Sequence, residues 1–343
     1  MKRIAIITEN FNDPWYPDDI DDILGGSQEV IVLFAEALKR SGYKVSVFTY
    51  CNVDSESDES KVVVNKIKTK IRNDISYFDF DLFKIFFNSF ETIILFKINP
   101  FKGLLSNLLS SFKKIIFWSS DVQKFIPNYN SLSNLIETKV CLTNFHKTRN
   151  EWNDAIVLPH GIDKDSLNKN KTVKIPNTVL YSSSFCRGLD TLLNDWSTIK
   201  KHFPELKLTI TYGFKVANQF SSNLGKELNK KNEGYIIDLC KILDIRYLAN
   251  IGKNDMEKLY WESEYWILPL KEPESELFCL NAIKAQYCAC IPIVNKIGAL
   301  EETVGDYIPF ENLIKGDKTL NKANNVIPSH TWDEVINLWK PII

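Results

Sequence analysis

The first fifty residues alternate between a strand pattern and a helix pattern, and this alternation constrains the fold more than any other feature. The apolar run RIAIIT begins at residue 3, and a second strand-like run, KVSVFTY, begins at residue 44. Between them, apolar residues recur at the spacing of an amphipathic helix, namely Val30, Leu33, Phe34, Ala37 and Leu38. Gly42 follows where such a helix is expected to stop. Strand, helix and strand form a βαβ unit, which requires a parallel sheet.

The same alternation continues along the rest of the chain. The first half contains further strand-like runs, TIILF, KIIFW, VCLT and AIVLPHGID. A polar, lysine-rich stretch, KDSLNKNKTVKIPNT, follows and predicts a linker. The second half then reads as TVLYSSS, the helical LDTLLNDWSTIKKHF, LKLTITYG, YWILPL, a helix over Leu280–Tyr287, and CIPIVN. The last stretch, TWDEVINLWKPII, is an amphipathic helix that needs a surface to pack on. These patterns predict two Rossmann-like halves facing each other across a cleft.

Length and charge limit the possible classes of protein. A chain of 343 residues suggests two domains. With 44% hydrophobic and 25% charged residues it has the composition of a soluble globular protein. A net charge of -1 gives no bulk attraction to nucleic acid or to an anionic membrane. We therefore expect no nucleic-acid partner.

The cysteines and the amino terminus indicate a cytoplasmic protein. The seven cysteines are an odd number without a CxxC pair, and the four histidines are too scattered for a zinc site. Buried, reduced thiols are the expectation. The first apolar run is interrupted by Thr8, Glu9 and Asn10, which is unlike a signal peptide. No run reaches the ~18 apolar residues of a transmembrane segment.

Two glycine-containing turns between a strand and a helix could each bind an anion. Gly25 and Gly26 open the first helix, where backbone N–H groups carry partial positive charge and a glycine lets a ligand approach closely. The segment from Ser182 through Ser184 to Arg187 and Gly188 has the same arrangement, with hydroxyls and a guanidinium suited to phosphate. The alternatives are a plain loop-to-helix turn, a helix cap and a surface charge.

A third candidate lies in the stretch ESELFCLNAIKAQYCACIPIVNKIGALEETV. Glu276 precedes Phe278, Cys279 and Leu280, where a helix is expected to begin. A carboxylate there can accept hydrogen bonds from sugar hydroxyls, while the following N–H groups hold a diphosphate. The alternative is a carboxylate that only stabilises the helix dipole, which contributes up to ~1 kcal/mol.

Taken in order, these segments resemble the retaining glycosyltransferases of family 4, which have the GT-B fold. The resemblance covers nearly the whole chain, through GGSQE, RSGYKVSVFTY, LPHGID, YSSSFCRGLDTLLNDW, YGF, IGKNDMEKLYWESEYWILP and the stretch around Glu276. It implies two Rossmann-like domains, an N-terminal acceptor-side domain over 1–162 and a nucleotide-sugar-binding domain over 163–328. The helix within 329–343 would return to the first domain.

The resemblance also implies site residues. Glu276, the first glutamate of the family's E-x7-E element, would contact the donor sugar, and Arg187 the diphosphate. The other donor-binding positions would be Gly25, Gly26, Ser184, Lys253 and the backbone amides of Phe278, Cys279 and Leu280.

Two positions depart from the family pattern. Lys284 stands where the second glutamate of E-x7-E holds the ribose hydroxyls, and a lysine cannot accept those hydrogen bonds. It is therefore a changed or lost nucleotide contact, and Lys284→Glu would restore the ribose contact. The histidine that often lies near the reaction centre has no counterpart. Ser120 is closest to that position, followed by Asp121, so we place both on the acceptor side.

The predicted function is retaining transfer of a hexose from a nucleotide diphosphate sugar, of the GDP-mannose or UDP-glucose type, to a hydroxyl acceptor such as a glycan. No cofactor or metal is expected. The acidic pairs around Asp18–Asp22 and Asp79–Asp81 are interpreted as a solvated loop and as a helix or loop start. The alternatives are a catalytically weak sugar-nucleotide-binding protein and a GT-B-like sugar-nucleotide epimerase. A Rossmann oxidoreductase is disfavoured because the dinucleotide fingerprint is absent.

Overall fold

The computed structural model divides the chain into two compact units. Unit 1 comprises Met1–Ile20, Leu24–Gly161 and His330–Ile343, and unit 2 comprises Asp21–Ile23 and Ile162–Ser329. The described residues are 1–8, 15–21, 25–49, 61–64, 67–96, 114–122, 133–213, 223–272, 276–317 and 326–343.

The strands and helices alternate in both units. The described strands are β1 (Arg3–Ile7), β2 (Lys44–Thr49), β3 (Lys61–Val64), β4 (Ile67–Arg72), β5 (Ile75–Asp79), β6 (Thr92–Phe96), β7 (Ile115–Trp118), β8 (Thr138–Cys141), β9 (Ile156–Val157), β10 (Ile175–Tyr181), β11 (Lys207–Ile210), β12 (Arg246–Tyr247), β13 (Ser263–Leu268), β14 (Ile291–Val294) and β15 (Ile308–Pro309). The described α-helices are α1 (Gly26–Arg40), α2 (Phe83–Phe86), α3 (Asn144–Arg149), α4 (Lys164–Lys169), α5 (Leu189–His202), α6 (Asn223–Ile242), α7 (Lys253–Glu262), α8 (Leu280–Tyr287), α9 (Leu300–Thr303), α10 (Phe310–Lys315) and α11 (Trp332–Trp339).

Unit 1 is built on a mostly parallel sheet with the strand order β3-β4-β5-β2-β1-β6-β7-β8-β9. Only β4 among these strands pairs antiparallel on both sides, with β3 and β5. The predicted first βαβ unit is confirmed, since β1 pairs parallel with β2 and α1 connects them. Gly42 has a φ of 91°, which glycine adopts without strain where the helix ends.

The C-terminal helix α11 belongs to unit 1, where it packs against α1. The rings of Phe34, Trp118 and Trp339 are all fully buried and meet with centroid distances of 4.6–5.0 Å. An ion pair between Arg40 and Asp333, at 2.8 Å, joins the two helices at the surface. The predicted return of the last helix to the first half of the chain is confirmed.

Unit 2 contains a fully parallel sheet with the strand order β12-β11-β10-β13-β14-β15. From β10 the chain first adds strands on one side, β11 and β12, and then returns to add β13, β14 and β15 on the other. Strands β10 and β13 are therefore parallel neighbours, and the connections that leave them lead to opposite sides of the sheet. Such a switch point is where open α/β sheets bind ligands, beyond the carboxyl ends of the strands.

The predicted linker is wrong. Residues 164–169 form helix α4 and β10 begins at Ile175, so the polar stretch is part of unit 2. Asp163 caps this helix by accepting a hydrogen bond from the Ser166 amide at 3.0 Å, and Leu167 is fully buried. A single apolar residue among lysines and asparagines anchors the segment, which composition alone does not reveal.

Candidate functional site

The loops after β10 and β13 bring two predicted site residues together. Arg187 follows β10 and Glu276 follows β13, and their side chains form an ion pair with 3.3 Å between Nη1 and Oε1. The Glu276 side chain is 17% exposed and that of Arg187 is 35% exposed. Because the two strands flank the switch point of the sheet, this pair occupies the place where the topology favours a ligand.

The loop that carries Arg187 is hydrogen-bonded to Tyr181, the last residue of β10. The hydroxyl of Tyr181, a fully buried residue, donates to the carbonyls of Ser184, at 2.7 Å, and of Arg187, at 3.0 Å. Gly188 follows with a φ of 77°, and a Cβ there would lie 2.5 Å from the Pro269 carbonyl oxygen. Glycine is therefore required at this position, because the loop after β10 runs directly against the loop after β13.

A buried polar network fixes the start of α8 against β10. The Asn281 side chain donates to the Ser182 carbonyl at 2.6 Å and accepts from the Tyr260 hydroxyl at 3.0 Å. The indole N–H of Trp266 donates to the Ser182 hydroxyl at 3.0 Å. This network was not predicted, because its members are spread over more than 80 positions and each one alone is an ordinary polar residue.

Helix α8 begins at Leu280, as the spacing predicted, and Cys279 is its N-cap residue. Just before it, the Glu276 carbonyl accepts a hydrogen bond from the Ala299 amide at 2.9 Å. The backbone around Glu276 is thus attached to the start of the next helical segment, which keeps the carboxylate in place. Phe278 and Cys279 lie between this carboxylate and the helix, and Leu280 is the first residue of α8, so their amides are at the helix start close to Glu276 in sequence.

The carboxyl group of Glu276 sits in an environment that resists ionisation. Burial raises its pKa above the ordinary value of 4.5, and the nearby Arg187 guanidinium only partly offsets this effect. A guanidinium can bind phosphate oxygens with two parallel hydrogen bonds, and a carboxylate accepts hydrogen bonds from hydroxyls. The pair can therefore bind a molecule that carries a phosphate next to a sugar.

Ser184 and Cys186 lie in the loop that leads to Arg187. Their side chains are 3.2 Å apart, between Oγ and Sγ, at the surface. Cys186 is the exposed member of the six free cysteines in the part of the chain that the structure describes, and the other five are buried. The prediction of buried thiols is confirmed for those five, and Ser184 stays a candidate donor contact.

Lys253 and Lys284 lie in a separate cluster of charged residues within unit 2. The Lys253 ammonium is 3.1 Å from an Asp163 oxygen and 3.9 Å from a Glu257 oxygen. Glu257 is 3% exposed, and its carboxylate accepts hydrogen bonds from the side chains of Ser166 and Asn170. We call Asp163, Lys253, Glu257 and Lys284 the four-charge cluster.

The positive charge of Lys284 acts on both carboxylates of the four-charge cluster. Burial favours a higher pKa for Asp163, but the Ser166 amide, Lys253 and Lys284 outweigh it and hold this pKa below its ordinary value. For Glu257, burial dominates and raises the pKa, while both lysines oppose the rise. The charge of Lys284 therefore acts on carboxylates of its own unit. The E-x7-E pattern of the family, which concerns residue 284 alone, did not indicate this.

In unit 1, Gly25 and Gly26 are found at the start of α1. The amide of Gly25 donates to the Gln28 side-chain oxygen at 2.7 Å, and a Cβ at Gly25 would be 2.9 Å from that oxygen. A Cβ at Gly26 would have open space around it. The atom nearest to such a Cβ at Gly25 is the far end of the flexible Gln28 side chain, so local packing does not require glycine at either position, and a role in binding an anion stays a prediction.

Ser120 and Asp121 follow β7 in a corner that three side chains stabilise. The Asp121 carbonyl accepts hydrogen bonds from Ser119 Oγ at 2.7 Å, His146 Nε2 at 3.1 Å and Asn150 Nδ2 at 3.4 Å. The Ser120 hydroxyl is buried without a partner among the described residues, and the Asp121 side chain is exposed. The sequence did not indicate His146, whose ring is hydrogen-bonded to the residue after Ser120, the position matched to the family histidine.

The tautomer of His146 follows from its contacts. The Leu142 amide donates to Nδ1 at 3.3 Å, so Nδ1 carries a lone pair and Nε2 carries the proton that is donated to Asp121. Burial lowers the pKa of His146, while Asp121 opposes this effect. Both observations agree with a neutral imidazole that holds the corner in place.

The acidic pairs resembling metal motifs have other contacts. Asp18 pairs with Arg72 at 3.3 Å, and Asp19 accepts from the Tyr16 amide at 3.0 Å. Asp79 ends β5 and a short 3-10 helix, Phe80–Leu82, follows at once, so the interpretation of Asp79–Asp81 as a helix start is confirmed from Phe80 onward. Pro17–Asp21 forms another short 3-10 helix, so the loop expected there is wrong. Over the described ranges, the His, Cys, Asp and Glu side chains form no group of three that could hold a metal. In those same ranges we find no helix of the length and apolarity needed to cross a membrane.

Comparison with known proteins identifies the fold. No family model and no curated protein matches the sequence. Among solved structures, the sucrose-phosphate synthase of Thermosynechococcus elongatus superposes with a TM-score of 0.62 at 15% identity, covering 100% of this chain and 96% of that one. HepE of Anabaena, solved with UDP and glucose, gives 0.63 at 11% identity over 100% and 95%. WaaG, a glycosyltransferase of lipopolysaccharide biosynthesis, gives 0.56 at 13% over 99% and 95%.

These likenesses extend over essentially the whole chain, and they show that it has the GT-B fold, with two α/β units. The predicted fold class is confirmed.

Proposed function

We propose that the protein is a retaining glycosyltransferase that transfers a hexose from a nucleotide diphosphate sugar to a hydroxyl acceptor. The observation that carries the proposal is the ion pair between Arg187 and Glu276 at the switch point of the unit 2 sheet. The GT-B fold, shared with proteins such as HepE that was solved with UDP and glucose, supports the same conclusion. The donor is of the UDP-glucose or GDP-mannose type.

In the proposed reaction, the bond between the anomeric carbon and the diphosphate breaks while a bond to the acceptor oxygen forms on the same face of the sugar, and the proton of the acceptor hydroxyl passes to an oxygen of the leaving diphosphate. Arg187 and the amides of Phe278, Cys279 and Leu280 stabilise the charge that develops on the leaving diphosphate, without a metal ion. Glu276 accepts hydrogen bonds from the sugar hydroxyls and orients the anomeric carbon. Ser184 and the Gly25–Gly26 turn are further proposed donor contacts.

We assign the donor to unit 2 and the acceptor to unit 1, where Ser120 and Asp121 are the proposed acceptor-side residues. The corner that carries them is stabilised through the Asp121 carbonyl by Ser119, His146 and Asn150. A rigid corner suits this role, because a nucleophilic hydroxyl must be held close to the reacting carbon. A glycan is the proposed acceptor, and the protein is proposed to be cytoplasmic.

A thermal-shift screen against a panel of sugar nucleotides tests the proposal. A ligand present at 100 times its dissociation constant stabilises the folded protein by ~2.7 kcal/mol. We expect a clear rise in melting temperature with one UDP- or GDP-sugar and a smaller rise with the corresponding nucleoside diphosphate. A panel in which no sugar nucleotide and no nucleoside diphosphate raises the melting temperature would contradict the proposal.

A second candidate function is sugar-nucleotide binding with little or no transfer. It is favoured by the charge of Lys284, which favours the ionised forms of Asp163 and Glu257 and stands at the position where the family holds the ribose. Release of nucleoside diphosphate that depends on an acceptor distinguishes transfer from binding. Formation of an epimeric sugar in the absence of any acceptor would instead indicate an epimerase.

Replacing Arg187 with alanine is expected to weaken binding of UDP or GDP by about 10- to 150-fold, because a hydrogen bond to a charged group contributes ~1.5–3 kcal/mol. Isothermal titration calorimetry on the wild type and the variant measures this change. Arg246→Ala is the matched control, since Arg246 is an exposed arginine of the same unit on β12. Equal affinities for wild type and Arg187→Ala would remove Arg187 from the site.

Chelators are expected to leave the transfer rate unchanged, because the proposed stabilisation of the diphosphate comes from Arg187 and backbone amides. The rate is measured after dialysis against EDTA and again after Mg²⁺ or Mn²⁺ is added back. A rate that falls more than tenfold on chelation and recovers with metal would contradict the metal-independent mechanism and direct attention to the acidic pairs.

A further inference from the structure

Tyr212 has a backbone conformation that an aromatic residue rarely adopts. Its φ is 87°, in the region that favours glycine, and for a bulky side chain such a value is a true outlier. Conformations of this kind persist only where the surroundings enforce them, and they cluster at functional sites. The next residue is Gly213, but the positive φ falls on the tyrosine and not on this glycine.

The surroundings of Tyr212 enforce this conformation from both sides. The Thr211 amide donates to the Tyr181 carbonyl at 2.9 Å, and the Tyr212 amide donates to the Ala249 carbonyl at 2.8 Å. A Cβ at Gly213 would lie 2.7 Å from the Asn250 side-chain oxygen, so the chain after β11 is confined there too. The side chain of Tyr212 is therefore directed by fixed backbone contacts.

These contacts place Tyr212 at the same edge of the sheet as the Arg187–Glu276 pair. Strand β11 pairs parallel with β10, with Ile210 opposite Tyr181, so the segments that follow both strands emerge side by side. The Tyr212 phenol interacts electrostatically with Cys186, Arg187 and Glu276, and the residue is only partly buried. Tyr212 thus follows β11 at the sheet edge where Arg187 follows β10, within electrostatic reach of the pair.

The chemistry of the phenol fits a phosphate better than a cation or an apolar group. Burial raises the pKa of Tyr212, and Cys186 and Glu276 add to the rise while Arg187 opposes it. The hydroxyl accordingly keeps its proton across the physiological range and remains a hydrogen-bond donor. Phosphate oxygens only accept hydrogen bonds, so a protonated phenol next to a guanidinium complements them.

We propose that Tyr212 is a donor-site residue whose hydroxyl donates a hydrogen bond to the diphosphate bound by Arg187. This inference rests on the proposed function of the same site. It assigns to the loop after β11 a direct contact with the leaving group, in addition to the loops after β10 and β13.

Tyr212→Phe tests this contact, because it removes the hydroxyl and keeps the ring and the backbone conformation. The probes are UDP, GDP and uridine, titrated by calorimetry against the full chain. We expect Tyr212→Phe to weaken the nucleoside diphosphate that binds the wild type by about tenfold. The weak binding of uridine, which has no phosphate, should not change. The melting temperature without ligand should stay within about 2 °C of the wild type, because only the hydroxyl of a partly buried side chain is removed.

Tyr235→Phe is the matched control, since Tyr235 is a 69% exposed tyrosine of the same unit on α6. It should bind every probe like the wild type. Wild-type affinity of Tyr212→Phe for the diphosphate would overturn the role of Tyr212 and leave the proposed function standing. Equal loss for uridine and UDP would also overturn it, because the effect would then not involve the phosphates. Failure of the wild type to bind either nucleoside diphosphate would overturn the proposed function itself.

Discussion

Replacing Glu276 with glutamine is expected to lower the rate of sugar transfer by at least about 100-fold while the affinity for nucleoside diphosphate stays close to that of the wild type. Glutamine keeps the size of the side chain but cannot accept charge-assisted hydrogen bonds from sugar hydroxyls, so the anomeric carbon is less well oriented. Arg187 remains in place to bind the diphosphate. The effect therefore falls on kcat rather than on the dissociation constant of UDP or GDP.

The stability of Glu276→Gln distinguishes a catalytic role from a structural one. A carboxyl group whose pKa is raised on folding binds its proton more tightly in the native state, so the native state gains stability as the pH falls towards 4.5. Above the native pKa the ionised carboxylate instead carries the cost of its burial, which a neutral side chain does not carry. The neutral glutamine is therefore expected to match or exceed the wild-type melting temperature at pH 7, measured by calorimetry.

The control for Glu276→Gln is Glu272→Gln, an exposed glutamate four residues earlier in the same acidic loop. It should keep both the transfer rate and the stability of the wild type. Glu276 would be excluded from the chemistry by a variant that transfers sugar at the normal rate. A lower melting temperature of Glu276→Gln, together with a lost rate, would instead mean that the Arg187 ion pair supports the fold.

The two-unit α/β architecture could be predicted because it depends on local patterns. Alternating apolar runs and helical spacing predicted the βαβ unit at the amino terminus and helix α8 at Leu280–Tyr287, both of which are confirmed. The proximity of Arg187 and Glu276 could also be predicted from the sequence. Both were placed by resemblance in loops that follow strands, and the carboxyl ends of neighbouring parallel strands meet at one edge of a sheet.

Contacts between distant segments could not be predicted. Asp163 and Lys253 are 90 positions apart and lie together only because helices α4 and α7 pack side by side. The resemblance placed Lys253 near the nucleotide, and the structure adds an ion pair between its ammonium and Asp163, so the nucleotide contact stays a prediction. The positive φ of Tyr212 was hidden for a similar reason, since backbone hydrogen bonds to other segments enforce it.

Lys284→Glu is expected to destabilise the protein. The sequence pattern suggested that a glutamate here would restore a ribose contact, but the positive charge of Lys284 favours the ionised forms of Asp163 and Glu257 in the four-charge cluster. A third carboxylate would repel Asp163 and Glu257, and Glu257 is 3% exposed and cannot be rehydrated at low cost. The substitution changes a favourable charge interaction into a repulsion, and each kcal/mol lost corresponds to a fall of about 2–4 °C in the melting temperature of a unit of this size, so we expect a fall of several degrees.

Two further variants separate repulsion from the simple loss of the lysine. Lys284→Met removes the charge and keeps the length of the side chain, so it should lower the melting temperature by less than Lys284→Glu does. The double variant Lys284→Glu/Glu257→Lys restores one charge of each sign and should recover part of the loss, which a double-mutant cycle measures as a coupling energy. Lys284→Glu with an unchanged melting temperature and tighter binding of UDP or GDP would contradict this reasoning. It would show instead that a carboxylate at residue 284 reaches the ribose, and that Lys284 lies in the nucleotide-binding site.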